Sequence, residues 1–312
     1  MKVKDLIPIA VVLLLLNSCG KLTEKEKMEQ TLKNYHQGLS LYQKGDYGKA
    51  AEKLRKAEAG MAYLTPNQIR KLKYKLALAL YKDGKYEDAI LELEDYITFY
   101  PTAPNIEEAY YYLIKAYLKI SPDPWRDQTY TQKALKLINE FFVKFTNSKY
   151  LPQIEELKEE ALRKLAEHQL LIAKFYEDYG YYYPAALRYE YVLITFPNEI
   201  NEQIVLFHYI KNLLLVPKYA KKKEIVFQEK YKDLKEKLLK GELKDKKAAE
   251  KRLEFFSSQI ERWKKIAKEA YQKGENDLQI YKQKYGEDKY YKLLLKIKNN
   301  ERGIKTWIEK LL

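Results

Sequence analysis

The sequence is poor in cysteine and histidine, two residues on which many catalytic and metal centres depend. Its 312 residues include one cysteine, Cys19, and three histidines, His36, His168 and His208. A single cysteine excludes an intramolecular disulfide and a multi-cysteine metal site. None of the histidines has a metal-ligating partner three or four residues away, and the chain lacks a glycine-rich phosphate loop and a Gly-x-Ser-x-Gly motif. We therefore expect a non-enzymatic protein with no cofactor and no bound metal.

Glycine and proline are also scarce, at 11 and 10 residues, and no segment alternates polar and apolar residues convincingly over six or more positions. Such alternation is the main sequence signal of a half-buried β-strand. Lysine, glutamate, leucine, alanine and tyrosine are abundant instead, and most of these favour helix. The composition predicts an all-α protein.

Long apolar runs are missing except at the N-terminus. The run over residues 6–16 follows Lys2 and Lys4, and at eleven residues it is shorter than the roughly 20 that span a bilayer as a helix. This pattern is typical of a cleaved signal peptide. The following Leu16-Asn17-Ser18-Cys19 resembles the bacterial lipoprotein box. That resemblance implies a signal peptide over 1–18, acylation of Cys19 (including palmitate), a tether over 19–29, and a membrane anchor.

A repeated motif organises the next two hundred residues. Glycine is followed by tyrosine two positions later and alanine five positions later in three segments, which begin at Gly45, Gly84 and Gly180. A more divergent copy lies around Thr131 and Ala134. Seven positions before each glycine the residue is small, as in Gly38, Ala77 and Ala173, and Ala116 is the matching residue of the divergent copy. This spacing resembles the tetratricopeptide repeat, which implies a solenoid of antiparallel helix pairs. We predict four repeats over 30–217, with a degenerate fifth reaching to about 231.

The remaining residues, 218–312, differ in charge from the repeats. They hold 28 Lys and Arg against 16 Asp and Glu, a net charge of +12, whereas residues 20–217 have a net charge of +1. Apolar residues at helical spacing on both sides of Gly241 predict a helical hairpin, and further helices are predicted over 276–285 and 288–311. The basic character fits either a solvated face or contact with anionic lipid or a partner. No nucleic acid is expected as a partner of an exported protein.

The middle of the chain carries a family resemblance. The segment 99–106 reads Phe-Tyr-Pro-Thr-Ala-Pro-Asn-Ile, Asp123-Pro124 lies in a longer connection, and residues 145–150 read Phe-Thr-Asn-Ser-Lys-Tyr. Over about residues 30–220 these features resemble the BamD family, lipoproteins of the outer-membrane β-barrel assembly machine. Three positions depart from the family pattern, which has histidine in place of Ala103 and Tyr-Pro in place of Phe145-Thr146.

The resemblance implies a scaffold on the periplasmic face of the outer membrane that binds two kinds of partner. Unfolded outer-membrane proteins would bind near the N-terminal repeats, and a barrel component of the Omp85 class would bind near repeat four. In the register set by the glycines, the expected peptide groove consists of Tyr35, Tyr42, Lys71, Tyr74, Leu78, Tyr81, Lys82, Tyr110, Leu113 and Tyr117. The expected contacts to the barrel component are Tyr182, Tyr183, Arg188, His208 and Lys211. The alternative is another periplasmic repeat lipoprotein that organises the cell envelope or peptidoglycan.

Overall fold

The structure is a computed structural model that describes residues 22–300. The predicted signal peptide, Cys19 and the end of the chain after residue 300 lie outside that range. The described residues form eleven α-helices and one short 3₁₀ turn, with no strand. The helices are α1 (Glu24–Gln43), α2 (Tyr47–Glu58), α3 (Pro66–Lys82), α4 (Tyr86–Phe99), α5 (Ile106–Ile120), α6 (Thr129–Lys144), α7 (Leu151–Asp178), α8 (Tyr182–Thr195), α9 (Glu202–Leu239), α10 (Lys246–Tyr285) and α11 (Lys289–Asn300).

Local sequence signals set where several helices begin. Thr23 and Glu26 form a reciprocal capping box at the start of α1, and Thr65 and Gln68 form another at the start of α3. Each pair satisfies two backbone N–H groups that the first turn of a helix leaves without partners. Asp245 caps α10 by accepting a hydrogen bond from the backbone N–H of Ala248.

The glycines of the repeated motif form the corners between paired helices. Gly45, Gly84 and Gly180 have φ values of 82°, 80° and 73°, a left-handed conformation that costs other residues energy. At each corner the residue after glycine donates its N–H to a carbonyl five positions earlier, as from Lys85 to Leu80 at 2.9 Å. At each corner the glycine also donates its N–H to the carbonyl three positions earlier. These two bonds together form the Schellman arrangement, which ends many helices.

Small residues allow the two helices of a pair to approach closely. A Cβ added to Gly38 on α1 would lie 2.7 Å from the Cγ of Leu54 on α2. Ala77, Ala116 and Ala173 are fully buried, as are the motif alanines Ala50, Ala89, Ala134 and Ala185. Together with the glycine corners, these contacts confirm an all-α fold built from tetratricopeptide helix pairs.

The chain divides into two compact units. Among the described residues, the first contains 22–121 together with 129–158, and the second contains 122–128 together with 159–300. In the first unit, consecutive helices from α1 to α6 pack against one another. In the second unit, α9 packs against α8, α10 and α11.

The segment 122–128, which belongs to the second unit, folds around one glutamine. Gln128 is buried and donates its side-chain amide to the backbone carbonyls of Pro122, Asp123 and Arg126. The ring of His168 on α7 lies 2.6 Å from the carbonyl oxygen of Pro124. This histidine therefore joins α7 to the connection.

The C-terminal extension contains the predicted hairpin. Gly241, with φ of 72°, joins α9 to α10 through the same corner bonds as the repeats.

Two predicted boundaries differ from the structure. Residue 218 falls within α9, which continues past a buried Pro217, and the helix predicted to begin at 276 is part of an unbroken α10. Gly274 lies in the interior of α10, where its missing side chain lets α10 approach Leu213 and Leu214 of α9.

Candidate peptide-binding groove and partner surface

Lysine ammonium groups lie over tyrosine rings along one face of the first unit. The Nζ of Lys75 is 4.4 Å from the ring centre of Tyr42, and the Nζ of Lys82 lies 5.0 Å from the same ring and 4.9 Å from that of Tyr47. A cation at this distance is attracted by the negative face of an aromatic ring. Burial lowers the pKa of Lys75, and the neighbouring ammonium of Lys82 lowers it further. These lysines and tyrosine rings together form a positively charged surface with flat aromatic walls.

The same surface continues onto α5. Tyr81 of α3 packs edge to face on Tyr112 at 4.8 Å, and Tyr111 stacks on Tyr150 at 5.4 Å. The Nζ of Lys115 lies 4.9 Å from the Tyr111 ring centre and donates to its hydroxyl at 3.1 Å. Aromatic rings paired with lysines thus extend from α1 to α5. Such walls can hold an extended peptide that carries aromatic side chains.

A cavity of about 370 Å³ opens beside this surface, between α3, α4 and the corner before α5. Tyr74 is 7% exposed, and its hydroxyl has no hydrogen-bond partner among the described residues. A buried hydroxyl without a partner is uncommon, because its desolvation is not compensated. The other residues that line the cavity include two cations and no carboxylate: Asn67, Arg70, Lys71, Tyr96, Pro104 and Asn105. The cavity therefore offers positive charge to an anionic group, while burial and then the carboxylate of Glu108 raise the pKa of the Tyr74 hydroxyl beside it.

The corner over residues 99–106 shapes this cavity. Asn105 accepts a hydrogen bond from the Tyr96 hydroxyl at 2.7 Å, and Pro104 lines the opening. Ala103 is buried in the corner. Burial raises the pKa of both Tyr74 and Tyr96, so both hydroxyls stay protonated at neutral pH. The segment that carries the family resemblance thus also positions the walls of the cavity.

The ten residues expected in the groove separate into two groups. Tyr42, Lys71, Tyr81 and Lys82 lie at least partly at the surface. The other six are buried in the packing of the unit: Tyr35, Tyr74, Leu78, Tyr110, Leu113 and Tyr117. Among these six, Tyr74 lines the cavity described above.

The three predicted residues of α5 are buried because they pack between helices. Tyr110 is 2% exposed, and its hydroxyl donates to Glu140 of α6 at 2.6 Å. Tyr117 is also 2% exposed and donates its hydroxyl to Glu94. The divergent third copy has no corner glycine, so its register depended on Ala116 alone. The surface residues of this helix, Tyr111 and Tyr112 with Lys115, were therefore missed.

The residues expected to contact the barrel component also fall into two groups. Tyr183 packs edge to face on Trp263 at 6.2 Å, and the exposed Arg188 donates to Gln169 at 3.0 Å. Tyr182 is half-buried at the corner before α8. His208 and Lys211 instead lie 3.0 Å and 2.6 Å from the carboxylate of the buried Glu177. Lys211 thus neutralises a buried charge inside the second unit, and His208 contacts the same carboxylate.

An apolar stripe on α8 was not anticipated. Leu187, Tyr191 and Ile194 are spaced by four and three residues, which places them on one helix face, and they are 48%, 45% and 74% exposed. A cavity of about 170 Å³ adjoins the stripe, lined by Leu187 and Tyr183 of α8 and by Ile266 and Ala270 of α10. The amphipathic period of α8 contains the signal for this stripe, but the outer face can be identified only once the packing is known.

The described part of the chain holds neither a candidate metal site nor a candidate membrane-spanning helix. In residues 22–300 no three His, Cys, Asp or Glu side chains are grouped so that they could hold a metal ion. In the same range no helix is long and apolar enough to cross a bilayer.

Comparison with known proteins identifies relatives across most of the chain. A family model described as "YfiO: Outer membrane lipoprotein" matches residues 27–227. The putative outer membrane protein assembly factor BamD of Aquifex aeolicus (strain VF5) is 44% identical over 288 residues, which cover 91% of this chain and 94% of the relative. The outer membrane protein assembly factor BamD of Rickettsia prowazekii (strain Madrid E) is 26% identical over 185 residues, or 58% of this chain and 72% of the relative.

A solved tetratricopeptide-repeat domain, that of P58(IPK), aligns with 92% of this chain and covers 71% of its own chain, at 15% identity and a TM-score of 0.37. The assignment of the repeats rests on the corner and packing geometry described above. The family assignment rests on the family model and on the Aquifex relative, which spans the C-terminal extension as well as the repeats. The chain belongs to the YfiO family of outer membrane lipoproteins, together with the BamD assembly factors.

Proposed function

We propose that this chain is a non-enzymatic scaffold for the assembly of outer-membrane proteins, anchored by acyl chains on Cys19 to the periplasmic face of the outer membrane. The observation that carries the proposal is the 44% identity with the Aquifex relative over nearly the full length of both chains. In this role the chain binds an unfolded substrate with its first unit and a barrel component of the Omp85 class with its second unit. Each binding surface follows from the side chains it exposes.

The substrate groove consists of the lysine–tyrosine surface and the adjoining cavity. Arg70 and Lys71 supply charge to the cavity, and the buried Tyr74 supplies a hydroxyl. A carboxylate bound there would receive charge-assisted hydrogen bonds, which are stronger than those between neutral groups. The rings of Tyr42 and Tyr81 would stack on aromatic side chains further along the peptide. The groove therefore suits an extended peptide with aromatic residues and a free C-terminal carboxylate.

A peptide pair tests this groove directly. A ten-residue peptide that ends in phenylalanine is titrated against the full chain, beside the same peptide with an amidated C-terminus. We expect amidation to weaken binding at least about tenfold, because one charge-assisted contact is worth roughly 1.5–3 kcal/mol. The double variant Arg70→Ala and Lys71→Ala should lose the preference for the free carboxylate.

Two controls separate this effect from general charge and from unfolding. Lys33→Ala and Lys119→Ala remove two exposed lysines elsewhere on the first unit and should leave the preference intact. Tyr74→Phe removes only the hydroxyl and should reduce the preference without changing the circular dichroism spectrum. Equal affinity for the acid and the amide in the unmodified chain would reject the carboxylate site, whatever the variants do.

The barrel component would bind the outer face of α8. The stripe of Leu187, Tyr191 and Ile194 is apolar, and the neighbouring cavity can receive one apolar side chain of a partner. Exposed apolar residues next to a pocket are typical of energetically important contacts. Arg188 stands beside the stripe and supplies a charged rim. His208 and Lys211 are left out of this surface, because Glu177 already engages them.

A further inference from the structure

The hairpin between α9 and α10 extends well beyond the helices that pack on its base. Its outer part, residues 221–262, is called the arm. Within the arm, Glu224 and Ala249 are the buried residues, and Phe227 meets Phe255 and Phe256 across the two helices at 6.3 Å and 6.2 Å. From residue 221 to the end of α9 at Leu239 the helix runs about 28 Å, at 1.5 Å per residue. The match to the family model ends at residue 227, so most of the arm lies outside it.

The end of the arm combines an exposed leucine with a concentration of lysines. This end, residues 237–247, is called the tip. Leu239 is 79% exposed, and Gly241 makes the turn with φ of 72°. Five lysines surround the turn, at 237, 240, 244, 246 and 247, against two acids, Glu242 and Asp245. Asp245 is held at the start of α10, where its carboxylate accepts the backbone N–H of Ala248 at 2.9 Å.

The positive charge of the tip is only partly neutralised by neighbouring acids. Lys237 and Lys240 pair with acids one turn back on α9, at 2.9 Å and 2.6 Å. Lys244, Lys246 and Lys247 are exposed and make no ion pair with any residue that the structure describes. Among the residues that the structure describes, the tip therefore presents unpaired ammonium groups around a largely exposed leucine side chain.

We propose that the tip docks on the surface of an anionic phospholipid bilayer, with Leu239 inserted between headgroups and the lysines bound to lipid phosphates. Each part of the tip suits this occupant. Lysine stems can lie along the apolar boundary while their ammonium groups stay with the phosphates. A single leucine can bury its side chain in a fluid bilayer without a pocket of matching shape. A folded protein surface would need such a pocket. The excess of lysine gives charge complementarity to the lipid.

This contact differs from the proposed acyl anchor at the other end of the chain. A few lysines and one leucine bind a bilayer weakly by themselves. On a chain already held at the membrane, however, the tip experiences an effective lipid concentration in about the millimolar range, where a weak contact is populated. The tip would then be a second, salt-sensitive point of attachment that fixes the orientation of α9 and α10 on the membrane. This contact rests on the acyl anchor of the proposed function, but it does not depend on which proteins the chain binds.

The single native cysteine makes a direct test possible. The full chain carrying Leu239→Cys is labelled with an environment-sensitive fluorophore and reconstituted into vesicles of phosphatidylcholine, or of phosphatidylcholine with about one third phosphatidylglycerol. Unmutated chain treated in parallel measures any labelling of Cys19. We expect blue-shifted emission in the anionic vesicles alone, and its loss at about 1 M salt, where charges are screened beyond roughly 3 Å.

Three comparisons make the outcome decisive. The same fluorophore at Gln283→Cys, an exposed position on α10 away from the tip, should show no lipid-dependent shift. Adding Lys244→Glu, Lys246→Glu and Lys247→Glu should abolish the shift at position 239, whereas Lys33→Glu, Lys44→Glu and Lys119→Glu on the first unit should not. Emission at 239 that is identical in neutral and anionic vesicles overturns the proposal. So does a shift that requires an added soluble acidic protein rather than lipid.

Discussion

Glu177 shows how one buried charge is stabilised within the second unit. Burial opposes its ionisation, but hydrogen bonds from His208, Lys211 and Asn212 outweigh that effect and hold the pKa of Glu177 at about 2. Its ordinary value is 4.5, so ionised Glu177 stabilises the folded state. That stabilisation is present above pH 4.5 and is lost as the pH falls towards 2. The geometry thus makes this carboxylate part of the acid stability of the second unit.

We predict that Glu177→Gln lowers the free energy of unfolding by about 3 kcal/mol at pH 7, because the amide accepts fewer of the three hydrogen bonds and carries no charge. Urea denaturation across pH measures this loss. The difference from the unmodified chain should shrink between about pH 4.5 and 2, where the native carboxylate becomes protonated. A difference that stays constant down to pH 2 would mean that the charge of Glu177 has no role.

Lys73 holds together a second buried cluster, in the first unit. Its ammonium contacts the carboxylates of Glu58 and Glu92, and Glu92 is 3.1 Å away and only 8% exposed. Burial, together with the charge of Glu58, raises the pKa of Glu92. Lys73 is therefore the cation that compensates two partly buried carboxylates. The guanidinium of Arg55 lies farther from the Glu92 carboxylate, at 3.8 Å.

Lys73→Met should destabilise the first unit by about 3 kcal/mol, because it leaves a buried carboxylate without its partner. Lys56→Met provides the matched comparison. Lys56 pairs with Glu52 at 2.6 Å, but both side chains are more than half exposed, so the loss should be under about 1 kcal/mol. Guanidinium denaturation of both variants gives the two values, and equal losses would show that the buried cluster contributes nothing specific.

At the scale of single residues the sequence predicts only part of the groove. Tyr42, Tyr81 and Lys82 could be placed near the surface because a corner glycine sets the register of their helices. Tyr110 and Leu113 could not be placed, since α5 is apolar on several faces and no glycine marks its end. The cavity at Tyr74 was also beyond prediction as a cavity, because its walls come from α3, α4 and a corner that meet only in the fold.

At the scale of helices, the corner glycines set the repeat. Gly84 has φ of 80°, and a Cβ added there would meet no atom within 4 Å. A substitution at this position therefore tests backbone conformation alone, without a steric clash.

Gly84→Ala should cost roughly 1–2 kcal/mol of unfolding free energy, since alanine in the left-handed region is strained. Gly84→Asn should cost less, because asparagine adopts that region more readily. Thermal unfolding of the two variants ranks them. If alanine were tolerated as well as asparagine, the corner would not need the conformation that the structure gives it.

The corners and the buried small residues were predictable because they repeat at fixed spacing. The boundaries in the extension were less predictable. Pro217 usually ends or kinks a helix, yet α9 continues through it, and the proline is buried among the residues that pack α9. Tertiary packing of a 38-residue helix outweighs one lost backbone hydrogen bond. The hairpin itself was predictable from Gly241 and the apolar faces on either side of it.

At the scale of the whole molecule, the two proposed surfaces lie on different units. The substrate groove belongs to the first unit, and the apolar stripe of α8 belongs to the second unit. Substrate binding and partner binding should therefore be separable by substitution.

Ile194→Asp, combined with Tyr191→Asp, should reduce recovery of the barrel component at least tenfold in affinity purification, because two charges would be buried in an apolar contact. Peptide binding by the first unit should be unchanged. Val143→Asp is the matched control, since Val143 is 81% exposed on α6 and lies outside the stripe. A loss of barrel component with Val143→Asp as large as with the α8 variant would argue against a specific surface.

The central claim is that the chain works as a scaffold of outer-membrane protein assembly. Its most direct test is affinity purification of the tagged full-length chain in mild detergent, with mass spectrometry of the proteins that accompany it. The account predicts an Omp85-class barrel protein in near-equal amount. Recovery of peptidoglycan-associated proteins without any such barrel protein would contradict it and would favour a repeat lipoprotein that organises the cell envelope.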